Sequence, residues 1–158
     1  MTVYLDNNAT TPLKQSVKKA IADGLEAYGN PSSVHQEGQK ARMLLDEARR
    51  HVAAMVDVRA EQVVFTGNGS EANNLALRGY FARNPEKTLV ISAVEHSCVH
   101  QTALALHKDY GVNVHILPVD KDGVIDLTDL DTALEKQDVG LVSIMHANNE
   151  TGVLQPIQ

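Results

Sequence analysis

Apolar positions recur in two rhythms along the chain. Val17, Ala20, Ile21, Leu25 and Tyr28 fall three or four residues apart, and Gly29-Asn30-Pro31 ends that pattern. This predicts an amphipathic helix closed by a turn. Ala41, Leu44, Leu45, Ala48, Val52, Met55 and Val56 repeat the helical spacing, with Lys40, Arg42, Asp46, Glu47, Arg49 and Arg50 at the outward positions. Those charges read as a solvated face. Short β-type runs then appear at 63–65, 88–94, 112–119 and 139–145, separated by helical patterns at 70–83, 97–110 and 128–135. The alternation predicts an α/β domain with a mostly parallel sheet and helices on both faces. The carboxyl ends of such strands share one rim, where ligands bind. Here the rim holds residues 66–70, Glu95-His96, 118–120 and 146–150. Lys121-Asp122-Gly123 reads as a plain turn. The last run has no helix after it to cover the sheet, which reads as the front part of a larger domain.

Composition narrows the class. The 158 residues are 43% hydrophobic and 22% charged, an ordinary globular balance. A net charge of −6 argues against nucleic acid or an anionic membrane as the main partner. With Cys98 alone, no internal disulfide can form, and the expected setting is the cytoplasm. The opening residues carry no basic-then-apolar leader, and no apolar run reaches membrane-spanning length.

The stretch FTGNGSEANN at 65–74 sets an apolar run, a glycine-bearing turn and a helix start in succession. Backbone amides at such a helix start can hold a phosphate. A nucleoside-triphosphate loop would need a Gly-Lys-Ser/Thr ending, and none is present. A dinucleotide fold is a second candidate. Gly67, Gly69 and Ala72 fit its spacing, and Glu95 ends the next run, where an acid would meet a ribose. Against it, two helical patterns precede a fingerprint that normally opens the first βα unit.

The third candidate is pyridoxal phosphate, and it rests on more residues. YLDNNATTP at 4–12, GNPSSVH at 29–35, TGNGSEANN at 66–74 and MHANNETG at 145–152 occur in that order, with Glu95-His96 between the last two. Together they resemble the N-terminal part of the cysteine desulfurases of NifS/IscS type, in the class V aminotransferase family. The resemblance implies the N-terminal portion of a fold-type I pyridoxal-phosphate enzyme, usually a homodimer. Residues 1–13 would belong to the small domain or the active-site rim, and 14–158 to an incomplete cofactor-binding large domain.

The resemblance also implies roles. Gly69 and Ser70 match positions that hold the cofactor phosphate. The family has Ser-Gly just before this point where Gly67-Asn68 stands here, and asparagine tolerates a left-handed turn better than most residues. The other reading is a plain capped turn with Ser70 as the cap. His96 matches the histidine that stacks on the pyridine ring and moves protons; the alternatives are a satisfied buried histidine, or a metal ligand with Cys98 and His100. Asn149 matches the asparagine that bonds the ring hydroxyl oxygen, with Asn148 and Glu150 holding the loop; a run of turn residues explains the same letters. Asn7, Ala9, Thr10 and Thr11 resemble a segment beside the substrate, although Thr11-Pro12 also simply opens a helix. Asn30, Ser33 and His35 resemble an active-site loop, or a helix-stop turn. Cys98 reads as a packed residue, because the family's nucleophilic cysteine lies on a later loop.

The implied activity is release of sulfur from L-cysteine to leave L-alanine, with a persulfide passing to an iron–sulfur scaffold or a tRNA-thiolation partner. The family's Schiff-base lysine, in a Ser-x-His-Lys segment, and its nucleophilic cysteine lie beyond the stretches matched here. The expectation is therefore a piece that is inactive without the missing C-terminal portion.

Overall fold

The structure, a computed structural model, describes residues 3–7 and 9–157. The chain divides into two compact units, Met1–Phe65 and Thr66–Gln158.

The first unit holds α1 (Gln15–Leu25), α2 (Gln36–Met55) and a 3-10 turn at Ala60–Gln62. α2 begins where His35 Nδ1 accepts the Gly38 N–H at 3.3 Å. Just before it, Asn30 Oδ1 accepts the Ser32 N–H at 2.9 Å, a turn that asparagine forms readily. Gly38 is the residue that lets this loop lie on the helix. A Cβ there would fall 2.5 Å from the Ser33 carbonyl oxygen. Asp46 pairs with Arg42 and Arg49 on the outer face of α2. The expected strand at 63–65 is absent, since no β partner exists for it among the described residues. Apolar side chains alone do not make a strand; the backbone groups must pair. Val64 and Phe65 remain exposed.

The second unit is the predicted α/β layer structure. β1 (Thr88–Ser92), β2 (Asn113–Leu117) and β3 (Val139–Ser143) form one sheet in the order β2-β1-β3, with both pairs parallel. All of β1 is buried, as expected of a central parallel strand covered on both faces. On one side Leu89 and Ile91 pack with Leu77 and Phe81 of α3 (Gly69–Phe81) and with Val99, Ala103 and Leu106 of α4 (Ser97–Tyr110). On the other side Val90 packs with Leu117 and with Ala133 of α5 (Leu127–Lys136). Each helix has a local reason to start: Asn68, His96 and Asp126 accept N–H groups from the first turns of α3, α4 and α5. Gly111, at φ +72, closes α4 in the left-handed region.

The order of strands positions the site. The chain leaves β1 through α4 to reach β2 on one flank, then returns through α5 to β3 on the other flank. The carboxyl end of β1 is therefore the topological switch point, the crevice where ligands bind in open parallel sheets. Glu95 and His96 stand there. Among the described residues no helix is long and apolar enough to cross a membrane.

Candidate functional site

His96 is held by its own backbone neighbourhood. It is the N-cap of α4, and its Nδ1 accepts the Cys98 N–H at 3.1 Å. An accepting Nδ1 assigns the ring proton of the neutral imidazole to Nε2. The ring is exposed, so it is not the buried core histidine that an isolated histidine would suggest.

Glu95, one residue earlier, faces the neighbouring strand end. Its carboxylate accepts the Met145 N–H and, at 3.2 Å, the Ser143 hydroxyl. Asn148 adds a second staple: its Nδ2 donates to the Val94 carbonyl at 3.1 Å, and its Oδ1 accepts the Glu150 and Thr151 N–H groups at 2.9 Å each. A bridge between Ala147 and Leu154 closes the loop. Asn148 thus holds the loop, as expected, and Asn149 rides on it. His96 and Asn149 line one open cleft of about 320 Å³ between the end of β1 and this loop.

The glycine turn is organised around Asn68. Its Oδ1 accepts the Glu71 N–H at 2.9 Å, the Glu71 carboxylate accepts the Gly67 N–H at 2.6 Å, and the Thr66 hydroxyl donates to the Asn68 carbonyl at 3.0 Å. The cap is therefore Asn68, not Ser70. Nor is a left-handed residue needed, because Asn68 is extended at φ −167. Gly69 and Ser70 open the helix at the surface. A Cβ built at Gly69 meets nothing within 4 Å, so the space over this turn is free. Ser70 and His96 line a second cleft, of about 290 Å³, with Asn74, Cys98 and Thr102. His96 is a wall of both clefts, the one lined by Ser70 and the one lined by Asn149.

Other expectations resolve differently. Cys98 packs against the core beside α3, and its Sγ accepts the Asn73 amide at 3.3 Å. His100 Nε2 lies 3.3 Å from the Ala93 carbonyl. Asn7, Ala9, Thr10, Asn30 and His35 fall in the first unit. There, the Ala9 and Thr10 N–H groups donate to the Asp6 carbonyl at 3.2 and 3.4 Å. Asn8, within the first motif, lies outside the described residues. The dinucleotide reading fails on two counts: among the described residues no strand precedes Gly67, and the Glu95 carboxylate is bonded to Met145 and Ser143. The bracing role of Glu95 was not visible in the sequence, since an acid near a strand end does not announce its partner.

The Aminotransferase class-V family model matches residues 3–158, and the chain belongs to that family. It is 43% identical over 159 aligned positions to cysteine desulfurase IscS of Dictyoglomus turgidum, covering 99% of this chain and 40% of that protein. It is 40% identical to the cysteine desulfurase of Rattus norvegicus, covering 98% of this chain and 35% of that one. A solved NifS-like protein superposes with a TM-score of 0.90 at 36% identity, over 99% of this chain and 43% of its own. SspA in complex with cysteine superposes at 0.89 and 34%, over 99% and 45%. The chain spans about 40% of the length of the curated relatives it matches.

Proposed function

We propose that this chain is the N-terminal portion of a pyridoxal-phosphate-dependent cysteine desulfurase, acting as a cytoplasmic homodimer. The observation that carries the reading is that His96 borders both the cleft of Ser70 and the cleft of Asn149. In that site the Gly69 and Ser70 amides and the Ser70 hydroxyl would hold the phosphate, His96 would lie against the ring, and Asn149 would bond the ring hydroxyl oxygen. Asn7, Ala9, Thr10, Asn30 and His35 would border the amino-acid substrate. The bound cofactor supplies an electron sink for a bond broken at the substrate Cα. The chain's own contribution is to orient that group. His96, with Nδ1 tied to Cys98 and the proton on Nε2, is placed to carry a proton at Nε2. The complete reaction converts L-cysteine and an enzyme thiol to L-alanine and an enzyme persulfide, which passes to an iron–sulfur scaffold or another sulfur acceptor. The lysine and the thiol would come from the missing C-terminal portion.

Pyridoxine 5′-phosphate is a suitable probe because it lacks the aldehyde and does not react with surface lysines. Amide shifts followed during its titration should move at Gly69, Ser70, His96 and Asn149. Shifts confined to other residues, or none at millimolar ligand, would refute the site. Mixing the chain with a separately expressed segment carrying Ser-x-His-Lys and a loop cysteine should then release alanine from cysteine.

A further inference from the structure

Two contacts assigned to the cofactor sit on different helices: Ser70 on the first turn of α3, and His96 at the cap of α4. A ligand that bridges them needs the two helix starts held at a fixed separation. Two neighbouring side chains of α3 reach α4: Asn73, whose amide donates to the Cys98 Sγ at 3.3 Å, and Asn74. Asn74 lies one turn after Ser70, and its Nδ2 donates to the Ser70 carbonyl at 3.0 Å. Its Oδ1 faces the Thr102 hydroxyl of α4 at 2.9 Å and the Arg78 Nε at 3.0 Å. Thr102 is 3% exposed, so this contact lies inside the helix–helix seam. The single Thr102 hydroxyl proton has two acceptors in reach, Asn74 Oδ1 and the Cys98 carbonyl at 2.8 Å. Cys98 is also the residue whose N–H fixes the His96 ring. Polar contacts within hydrogen-bond distance therefore run from the Ser70 carbonyl through Asn74, Thr102 and Cys98 to the imidazole, with the one Thr102 proton shared between its two acceptors.

We propose that Asn74, braced by Thr102, is a positioning residue that sets the separation between the phosphate-holding turn and the His96 ring. The inference rests on the cofactor reading above. Its physical signature is a chelate effect. A ligand that binds both subsites gains from their fixed spacing, whereas a ligand that binds one subsite does not. General damage to the fold would weaken all of them alike.

The test titrates pyridoxine 5′-phosphate, pyridoxine and inorganic phosphate into the wild-type chain and into Asn74→Ala, Thr102→Val and Thr102→Ser, following the Gly69, Ser70 and His96 resonances. Loss of the brace should weaken pyridoxine 5′-phosphate about tenfold in Asn74→Ala and Thr102→Val while the two single-subsite ligands stay within about twofold. Thr102→Ser keeps the hydroxyl and should bind as wild type. If Asn74→Ala does not fold, the Thr102→Val and Thr102→Ser pair decides the question. Unchanged pyridoxine 5′-phosphate affinity in the folded variants, or a parallel loss for all three ligands, would overturn the brace. Failure of the wild-type chain to bind pyridoxine 5′-phosphate at these residues is a separate result, which would overturn the cofactor reading and the brace with it.

Discussion

His96 accepts the N–H of Cys98 through Nδ1 at 3.1 Å, so one imidazole caps a helix with one edge and faces the cleft with the other. The two tasks can be separated by substitution. Asparagine can cap a helix but offers no aromatic face, whereas alanine does neither. His96→Ala should lose about 1 kcal/mol of stability, and His96→Asn should stay within about 0.5 kcal/mol of wild type. Urea denaturation followed by circular dichroism measures both. Equal stability of all three proteins would mean that the cap bond contributes nothing.

Glycine has opposite meanings at two positions of the second unit. Gly140 sits where the β1–β3 register shifts, since Thr88 pairs with Val139 but Leu89 with Leu141. A Cβ there would lie 2.6 Å from Lys87 Cβ and 2.7 Å from the Tyr80 hydroxyl. Overpacking of this kind costs about 1–3 kcal/mol, so Gly140→Ala should be destabilised by that amount in a denaturant titration. Gly69→Ala, at the helix start with open space, should be neutral or more stable by up to about 0.5 kcal/mol. The reverse order would contradict the register shift.

Much of this architecture was legible in the sequence, and the exceptions share a cause. β1, β2 and β3 fell within their predicted runs because each apolar stretch is short and bounded by turn residues; the helices followed from 3.6-residue spacing. The run at 63–65 looked equally strand-like, yet pairing is decided by distant backbone, which a local pattern does not contain. Part of the rim also survived: Glu95-His96 and Asn149 do follow strand ends, whereas 66–70 follows no strand among the described residues. What stayed hidden was the division of labour within it. Asn68 rather than Ser70 caps α3, Glu95 holds Met145 rather than a ligand, and Asn148 staples so that Asn149 can face the cleft. Each depends on which of several adjacent polar side chains turns inward, and that is settled by three-dimensional register.

Lys87 and Asp138 form an ion pair at 2.7 Å across the entry of β1 and β3. The hydrogen bond to Asp138, and then its charge, raise the Lys87 pKa above the ordinary lysine value. A raised folded-state value means that the pair's contribution is fully present below the unfolded lysine pKa of about 10.4. It is lost only as the pH climbs through the folded value above that. The stability difference between wild type and Lys87→Met should therefore be flat from neutral pH to about pH 10 and shrink beyond it. Because the pair is solvent-exposed, it should also shrink in 1 M salt. A difference that changed between pH 5 and 8 would assign the effect to another group.

Gln155 is 4% exposed and makes two bonds to the 120–125 turn: its Oε1 accepts the Ile125 N–H at 3.0 Å, and its Nε2 donates to the Gly123 carbonyl at 2.7 Å. Its own N–H donates to the His146 carbonyl at 2.9 Å. One buried amide thus ties the loop that carries Asn149 to the turn after β2. Gln155→Leu preserves bulk but leaves a donor and an acceptor unpaired, at a cost of about 1–3 kcal/mol for each such group if it stays dry. Gln155→Glu keeps the acceptor for Ile125 and loses the donor for Gly123, so it should be the milder change at acid pH, where a protonated carboxyl can donate again. Hydrogen exchange distinguishes a local from a global effect. The amides of Asn148 and Gly152, which bond within the loop, should lose protection in Gln155→Leu while the amides of β1 keep it. Uniform loss across β1 and the loop would mean that Gln155 supports the whole unit, and unchanged protection at Asn148 would mean that Glu95 and Asn148 hold the loop without it.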